Sequence, residues 1–427
     1  MTHRVYDPAV PRTSNPPDAG DADAAARRPA VFAGRFGNSF AALRRVVALA
    51  LLAGIALTPN LWFPAARTFP RAPLLDALPR GLVLPFEYLL GGLLVAALAA
   101  LLFAKRPTRY LHAAIISLAL LALSDQMRLQ PWVYQYLLIF VVIALRERHG
   151  AGVRSDAHSL RALRLIVAAL YFWGGVQKLN YSFGREVLPQ LLAPLQSLLT
   201  FDGAQLSALG AVLACVEVFT GCGLLFGRTR KFCVWLALAM HLLVLGLLVG
   251  RGYNSAVWVW NVALMPTVVI LFRRGVARGV RAPAGRPARD GSARAAQVIA
   301  VACAALPALS FWGWWDMYLS GALYSGNTAV AVVRVDGRVY ERLPEAAKRQ
   351  VFETKGGELM LPVFEWSMAD LNVPPYPEPR VFERVARDVC GLAEGGGSRA
   401  ELITKGRPAA SDGSHAVTRT DCSQLDE

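Results

Sequence analysis

The chain has 427 residues, of which 55% are hydrophobic and 18% are charged, and its mean hydropathy is +0.38. This composition excludes an ordinary soluble protein and is typical of a polytopic membrane protein. The formal net charge of +15 would also suit a nucleic-acid-binding protein. The arginines, however, cluster in short loops between apolar runs, which is the positive-inside pattern of membrane proteins. A nucleic-acid partner is therefore not expected.

The first 38 residues are rich in Pro, Ala, Asp and Arg and show no periodicity. We expect residues 1–38 to form a disordered cytoplasmic tail without a signal peptide. Residues 39–319 then contain nine apolar runs, some shorter than the roughly 20 residues that a perpendicular span needs. The runs are Leu43–Leu57, Leu84–Ala104, Tyr110–Ser124, Trp132–Leu145, Leu160–Leu179, Leu206–Phe226, Phe232–Val249, Ala256–Phe272 and Ala295–Trp315.

The loops between these runs differ in charge. The even-numbered loops are basic: the second carries Lys105, Arg106 and Arg109, and the eighth carries seven arginines between positions 273 and 294. The odd-numbered loops carry fewer positive residues, and the third has only Arg128. Since basic loops stay on the cytoplasmic side, the pattern predicts an all-α membrane bundle of about nine spans. The N-terminus would be cytoplasmic and the C-terminus extracytoplasmic.

The chain changes character after about residue 320. Ala329–Val335, Asp336-Gly337 and Arg338–Leu343 predict a β-hairpin. Pro379–Ala393 has a helical apolar face, and Glu401–Thr404 is a candidate strand. We expect residues 320–427 to form a small α+β domain outside the membrane, with a flexible end.

The six cysteines contain no Cys-x-x-Cys pair and no metal-ligand spacing, so no metal site is expected. Two of them, Cys390 and Cys422, lie in the segment that we expect to be exported. An oxidising compartment would leave them free to pair with each other.

The stretch Leu170–Pro189 carries the most unusual residue of the bundle. An apolar helix there passes through two glycines and ends at Lys178, after which the chain becomes polar. A lysine is costly in hydrocarbon, and ionisable residues within a membrane are candidates for function. The alternative is an anchor, since a lysine near a helix end can extend its ammonium to the headgroups.

The segment Tyr171–Asn180 reads Tyr-Phe-Trp-Gly-Gly-Val-Gln-Lys-Leu-Asn. It resembles the segment of vitamin K-dependent gamma-glutamyl carboxylases in which a lysine is the proposed catalytic base. The bacterial relatives with a horizontally transferred transmembrane domain share this pattern, which implies a bacterial inner or plasma membrane. Two further stretches resemble this family. Ser124–Trp132 resembles the polar loop between the third and fourth spans of the bacterial relatives. Trp315-Asp316-Met317, followed by the predicted Val330–Tyr340 hairpin, resembles the Trp-Asp-Met and the strand pair after the last span of the carboxylases.

The resemblance implies a carboxylase-like enzyme whose cofactor is vitamin K hydroquinone or menaquinol and whose substrate is an exported peptide or protein. In the carboxylases, such a base deprotonates the hydroquinone, and the oxygenated cofactor then removes a proton from glutamate. For Lys178 this would require a neutral amine, which a low-dielectric surrounding favours. Two departures stand out: the third loop offers Gln130-Pro131 where the carboxylases have a functional histidine, and most of the large lumenal domain of animal carboxylases is missing.

Six other residues are candidates for the site. Glu217 and His241 lie midway along the sixth and seventh spans, so they could pair and relay protons, or form a structural pair. Asp125 and Arg128 are three apart at an outer helix end and could bind an anionic substrate or carbon dioxide, or form a loop ion pair. Asn261 needs a polar partner within its span, and it is a candidate for cofactor contact together with Trp173.

Two non-enzymatic interpretations stay open. The bundle also resembles redox-associated membrane subunits of the DoxX or MauE kind, which work with a quinone or a thiol protein. The chain could instead be a structural partner of an export system. The absent loop histidine favours these alternatives, whereas Lys178 and the Trp-Asp-Met segment with the predicted hairpin after it favour the enzyme.

Overall fold

The structure is a computed structural model that describes residues 19–63, 65–74, 80–148, 153–198, 200–252, 254–273, 291–392 and 400–425. Nine long helices in these ranges follow the nine apolar runs of the sequence. They are α1 (Ala19–Leu57), α2 (Arg80–Phe103), α3 (Thr108–Ser124), α4 (Pro131–Arg148), α5 (Val153–Gln177), α6 (Gly203–Leu225), α7 (Arg230–Arg251), α8 (Ser255–Phe272) and α9 (Gly291–Ala305).

Seven of the helices in the described ranges are long and apolar enough to cross a membrane. The other two are α3, which has only 17 residues, and α4, whose last turn contains Arg146, Glu147 and Arg148. The expected helical membrane bundle is therefore confirmed, and the chain is an integral membrane protein. Helix α1 begins at Ala19, inside the segment for which we expected disorder; residues 1–18 of that segment lie outside the described ranges.

One end of the bundle is marked by arginines that donate to the last carbonyl groups of neighbouring helices. Arg45 Nε donates to Leu102 O at the end of α2 at 3.0 Å, and Arg164 Nε donates to Leu271 O at the end of α8 at 2.7 Å. Arg230 Nε donates likewise to Leu224 O, near the end of α6. A guanidinium satisfies carbonyls that the helix leaves unpaired and complements the negative end of its dipole. We call this the arginine-capped end.

The opposite end carries the C-terminal domain. Asn372 Nδ2 donates to Leu57 O at the end of α1 at 3.0 Å, and Gln130 Nε2 donates to Pro374 O at 3.0 Å. The Asp370 carboxylate accepts from the backbone N–H groups of Thr68 and Phe69 at 2.9 and 2.8 Å. These bonds hold the domain on the end of the bundle that lies away from the capping arginines.

The domain is built on a five-stranded antiparallel sheet with the order β2-β3-β1-β4-β5. Five short helices accompany it. The strands are β1 (Val330–Val335), β2 (Phe352–Glu353), β3 (Leu359–Pro362), β4 (Ala400–Lys405) and β5 (Val417–Asp421). The helices are α10 (Gly337–Arg342), α11 (Glu345–Lys348), α12 (Val363–Leu371), α13 (Pro379–Gly391) and α14 (Cys422–Leu425).

The predicted hairpin after β1 is wrong, because the segment expected to be its second strand forms helix α10. Asp336 acts as the N-cap of this helix, and its side chain accepts from the Val339 backbone N–H at 2.8 Å. Asp-Gly suits a hairpin turn, but aspartate is also a preferred N-cap. Strand β1 is already paired on one side with β3 and on the other with β4. No edge is left for the predicted partner.

The other two predictions for the domain are confirmed. Helix α13 (Pro379–Gly391) occupies most of the predicted Pro379–Ala393 helix and buries the apolar face formed by Phe382, Val385 and Val389, while Ala393 lies outside the described residues. Strand β4 covers the predicted Glu401–Thr404 strand. A disulfide bond joins Cys390 to Cys422 and so ties the end of α13 to the start of α14.

Candidate functional site

Lys178 forms an ion pair with Glu217, the residue that is predicted to pair with His241. Lys178 Nζ lies 2.7 Å from Glu217 Oε2 and also donates to Gly174 O at 3.1 Å. The two side chains keep 17% and 19% of their surface accessible. The pair is therefore shielded on most sides without being sealed inside the bundle.

The pair exists because glycines let α5 and α6 approach very closely. A Cβ on Gly174 would lie 2.6 Å from Glu217 Oε1, and one on Gly175 would lie 2.6 Å from Ala214 O. On α6, a Cβ on Gly221 would lie 2.5 Å from the backbone nitrogen of Phe172. Small residues at a membrane helix interface allow such backbone contact. The Gly-Gly step before Lys178 thus explains how its side chain reaches a carboxylate on the next helix.

The direction of the lysine side chain bears on the anchor alternative. Helix α5 ends at Gln177, as the sequence predicted. Arg164, at the arginine-capped end, precedes Lys178 by 14 residues, or about 21 Å along a helix. The candidate membrane span of α5 ends at Gln177, one residue before Lys178, whereas Glu217 lies inside the span Gly203–Leu225 of α6. Lys178 Nζ bonds back to Gly174 O, one turn towards the arginine-capped end, whereas an anchoring lysine extends towards the nearer headgroups.

Two segments of the chain pack over the turn that follows Lys178. Asn180 Nδ2 donates to Ser325 O at 2.9 Å, and the Tyr181 backbone N–H donates to Ala410 O at 3.0 Å. Ala410 belongs to the loop 406–416 between β4 and β5, and Arg407 of this loop donates to Asn327 Oδ1 at 3.2 Å. The C-terminal domain therefore contacts the Lys178 segment directly.

His241 does not pair with Glu217, so that prediction is wrong. Its Nε2 lies 2.5 Å from the Tyr171 hydroxyl and its Nδ1 lies 2.8 Å from Asn261 Oδ1. Asn261 Nδ2 donates to Val257 O at 2.8 Å, so Oδ1 is the oxygen that accepts from the imidazole. A neutral imidazole with its proton on Nδ1 satisfies both contacts. Tyr171, His241 and Asn261 thus form a self-contained chain of hydrogen bonds inside the bundle.

The predicted bridge between Asp125 and Arg128 is also wrong. Asp125 Oδ2 lies 2.5 Å from Arg67 Nη1, and the carboxylate also caps the turn Gln126–Arg128. Arg128 Nη1 lies 2.9 Å from Glu87 Oε1. Both predicted residues are fully buried, and they hold loops together where the C-terminal domain docks. Glu87 is the lone acidic residue in the second apolar run, and such a residue needs a positive partner. This feature of the sequence could have predicted the network.

Comparisons of the chain with protein families, with curated proteins and with solved structures found no match. A function must therefore be argued from the residues and their geometry. Among the described residues, no group of three or more His, Cys, Asp or Glu side chains is placed to hold a metal ion.

Asp316, of the Trp-Asp-Met segment, binds the C-terminal domain. Its carboxylate accepts from the Tyr376 hydroxyl at 2.7 Å and forms an ion pair with Arg380. The neighbouring Glu378 accepts from the Met317 backbone N–H at 2.8 Å. Burial raises the pKa of Glu378 to about 7, although the hydrogen bond from Met317 acts in the opposite direction. This segment is therefore a docking contact with one carboxyl group that titrates near neutral pH.

Trp173 lies on a different side of α5 from the ion pair. Its Nε1 donates to Ala304 O in α9 at 2.9 Å, and its ring lines an apolar cavity between α4, α5 and α9. Neither Lys178 nor Glu217 lines this cavity. Of the predicted site residues, the structure brings together only Lys178 with Glu217 and His241 with Asn261.

Proposed function

We propose that this protein is a quinol-dependent membrane enzyme of the gamma-carboxylase-like kind, in which the Lys178–Glu217 pair takes a proton from the cofactor or substrate. The observation that carries the proposal is the 2.7 Å contact between the amine and the carboxylate. The resemblance of Tyr171–Asn180 to the carboxylase segment supplies the reaction class. When bound, a reduced quinone, vitamin K hydroquinone or menaquinol, would react with O2 and so supply the strong base that carboxylation or a related modification of an exported substrate requires.

The pair offers a way to produce a neutral lysine in the membrane. A carboxylate close to an amine favours the ammonium form of the amine, and an ammonium group is not a base. If the proton moves along the 2.7 Å bond to Glu217, both groups become uncharged. A low-dielectric surrounding favours this neutral state because desolvating two charges is costly. In this mechanism Lys178 is the base and Glu217 holds the proton that the lysine gives up.

The position of the pair suits a cofactor that arrives through the bilayer. Helix α6, which carries Glu217, has only 33% of its span buried in the described structure, and the neighbouring α7 has 22%. Both helices are therefore peripheral and face lipid. A lipid-soluble quinol could approach the pair from the bilayer without crossing the core of the bundle.

The topology is part of the same proposal. We propose nine spans, with the arginine-capped end in the cytoplasm of a bacterial cell and the C-terminal domain outside. The disulfide bond between Cys390 and Cys422 supports this orientation, because such bonds persist in oxidising compartments. A peptide or protein substrate would then meet the enzyme on the outer side.

The test is incorporation of labelled bicarbonate into glutamyl peptides by the purified full-length protein supplied with chemically reduced menaquinone or vitamin K. We expect incorporation by the wild type and none by Lys178→Arg, since a guanidinium does not release its proton at usable pH. Lys231→Arg is the matched control, because Lys231 is exposed beside the arginine-capped end and needs only its positive charge.

Two results would overturn the proposal. One is a Lys178→Arg variant that stays within a few-fold of wild type, which would make Lys178 an anchor. The other is the absence of incorporation or of any quinol-dependent modification by well-folded wild type. That result would favour the non-enzymatic, redox-associated alternative.

A further inference from the structure

Lys178 lies just beyond the regular part of α5, in a turn that the helix alone holds incompletely. The Lys178 N–H donates to Gly175 O at 3.0 Å, and the Leu179 N–H donates to Val176 O at 3.1 Å. Both bonds reach back three residues instead of the four of an α-helix, which is the tighter winding common at helix ends. Helix ends fray because their last groups lack part of the intrahelical bonding. The position of the lysine therefore depends on contacts that other parts of the chain make with this turn.

The side chain of Gln177, the residue before Lys178, is held at both ends of its amide. Its Nε2 donates to Ser310 Oγ at 2.9 Å, and its Oε1 accepts from Asn327 Nδ2 at 2.7 Å. Gln177 is 1% exposed and Asn327 is 7% exposed. Buried polar networks whose members are all satisfied are rigid, because water does not compete for their hydrogen bonds. The end of α5 is thereby attached to the chain that follows α9.

Arg407 of the C-terminal domain completes this network. Its Nε and Nη2 donate to Asn327 Oδ1 at 3.3 and 3.2 Å, and its Nη1 donates to the Ser310 carbonyl oxygen. A guanidinium can only donate, so the oxygen of the Asn327 amide must face Arg407 and the NH₂ group must face Gln177. Arg407 therefore sets the orientation of the amide that holds Gln177.

The loop 406–416, which carries Arg407, also contacts the chain on the other side of Lys178. The Tyr181 backbone N–H donates to Ala410 O at 3.0 Å. A Cβ on Gly413 would lie 2.7 Å from Tyr181 Cδ1, so the loop packs directly on that ring. The lysine turn is thus bounded on both sides by contacts that lead to one loop of the C-terminal domain.

We infer that Arg407 is a positioning residue for Lys178. It acts through Asn327 and Gln177, which hold the last turn of α5 where the lysine amine meets Glu217. Its effect on turnover rests on the proposed function, whereas its hold on the turn does not. A displacement of about 1 Å at a reacting group can lower a rate about hundredfold, so a distant arginine that fixes this turn would strongly affect the reaction.

The simpler alternative is that Arg407 only fastens the C-terminal domain to the bundle. Loss of a fastener would loosen the whole domain and raise the KM of a substrate that the domain holds. Loss of a positioning residue would instead loosen the Lys178 turn and lower kcat. The two roles therefore differ in which quantity changes.

Hydrogen exchange of the purified full-length protein in detergent, followed by mass spectrometry of fragments covering residues 176–182, measures how often the turn opens. We expect Arg407→Ala to speed exchange of the Lys178 and Leu179 amides about tenfold to hundredfold, as for the loss of hydrogen bonds made by a charged group. Arg407→Lys should give an intermediate rate, because an ammonium cannot make all the bonds of a planar guanidinium. Arg419→Ala is the matched control, since Arg419 is an exposed arginine of β5 in the same domain. It should exchange like wild type.

The bicarbonate assay supplies a second measurement. We expect Arg407→Ala to lower kcat about tenfold to hundredfold and to leave the KM of the glutamyl peptide within about twofold of wild type. Should Arg407→Ala fail to fold, Arg407→Lys carries the same comparison against Arg419→Lys.

A double-mutant cycle tests the route through Gln177. Gln177→Met keeps the approximate volume of the side chain and removes both amide groups. If Arg407 acts through Gln177, adding Arg407→Ala to Gln177→Met should change the exchange rate and kcat little further, whereas independent effects would add.

Faster exchange of the turn, a lower kcat and a non-additive cycle support the positioning role. Wild-type exchange or wild-type kcat in Arg407→Ala overturns it, and so does an additive cycle. If the wild type itself incorporates no bicarbonate, the proposed function fails. In that case the exchange rates and their cycle alone decide whether Arg407 positions the Lys178 turn.

Discussion

The backbone nitrogen of Val218 lies 2.6 Å from the point where a Cβ on Gly175 would stand. Two helices that meet at this distance leave no room for any side chain at position 175. The same contact fixes the separation of α5 and α6 at the level of the Lys178–Glu217 pair. The geometry of the candidate site therefore depends on a glycine that takes no part in its chemistry.

Gly175→Ala should force α5 and α6 apart. Because the obstructing atoms belong to the backbone of Ala214 and Val218, they cannot move aside as a flexible side chain would. We expect a loss of about 1–3 kcal/mol in the free energy of unfolding, as for overpacked interfaces, together with loss of activity. Thermal unfolding in detergent and the bicarbonate assay measure the two effects.

Gly92→Ala is the control for this substitution. Gly92 also lies within a membrane helix, but no atom outside the adjoining backbone of its own helix lies within 4 Å of the position of its Cβ. Alanine should be neutral there or slightly stabilising, since it favours a helix by up to about 1 kcal/mol over glycine. If both variants unfold at the same temperature, the close contact between α5 and α6 does not hold the site together.

Glu217→Gln tests whether Glu217 receives the proton of Lys178. Glutamine keeps an oxygen that can accept a hydrogen bond from Lys178, but it cannot take up a proton, so the proposed proton transfer from Lys178 to residue 217 is blocked. We expect the variant to insert and fold, and to lose quinol-dependent activity as completely as Lys178→Arg. Glu217→Asp, which keeps an acid at a longer distance, should retain part of the activity.

Glu147→Gln provides the comparison, because Glu147 pairs with Arg146 at the arginine-capped end, away from the site. It should have full activity. A Glu217→Gln variant with wild-type turnover would show that the carboxylate only neutralises the lysine, and the proposed proton transfer would have to be abandoned.

The positions of the helices follow from the sequence, but their partners do not. The apolar runs predicted all nine long helices of the described ranges, because a continuous apolar stretch can only be satisfied as a helix in lipid. The prediction that Glu217 and His241 pair rests only on their similar depth along their membrane spans. Depth does not fix the rotation of a helix about its axis, and in the structure Glu217 meets Lys178 while His241 meets Tyr171 and Asn261.

Predictions from local sequence motifs were wrong where the same motif is compatible with two structures. Asp336-Gly337 suits both a hairpin turn and a helix N-cap. A hairpin is excluded because β3 and β4 occupy both edges of β1. Asp125 and Arg128 were close enough in sequence to bridge. In the structure Asp125 pairs with Arg67 and Arg128 pairs with Glu87. Both partners are distant in the chain, and no local sequence pattern connects them to Asp125 or Arg128.

The orientation of the chain can be tested with reporter fusions. Alkaline phosphatase folds only outside the cytoplasm, because it needs disulfide bonds. We expect it to be active when fused after Glu427 and inactive when fused after Arg106 or Arg230, which lie at the arginine-capped end. Activity at Arg230 would contradict the proposed nine spans.

Glu378 should make the stability of the C-terminal domain depend on pH. Its carboxyl group faces Asp316, Arg380 and Arg407, and burial raises its pKa from 4.5 in the unfolded chain to about 7 in the folded domain. Between these values the folded state binds more protons than the unfolded state, so stability falls as the pH rises. The contribution is fully present below pH 4.5 and is lost as the pH rises through about 7. It amounts to at most about 3 kcal/mol.

Glu378→Gln should remove this dependence, since the amide oxygen can still accept from the Met317 N–H but the group no longer titrates. The measurement is the thermal unfolding temperature of the purified protein from pH 4.5 to pH 8, compared between wild type, Glu378→Gln and Glu383→Gln. Glu383 lies on the half-exposed face of α13 and pairs only with Arg387 in the described structure, so its variant should keep the wild-type slope. We expect Glu378→Gln to be more stable than wild type at pH 8 and nearly equal to it at pH 4.5. If the slopes of all three proteins coincide, the Glu378 carboxyl group does not bind its proton more tightly in the folded domain, and the docking contact at Asp316 is insensitive to pH.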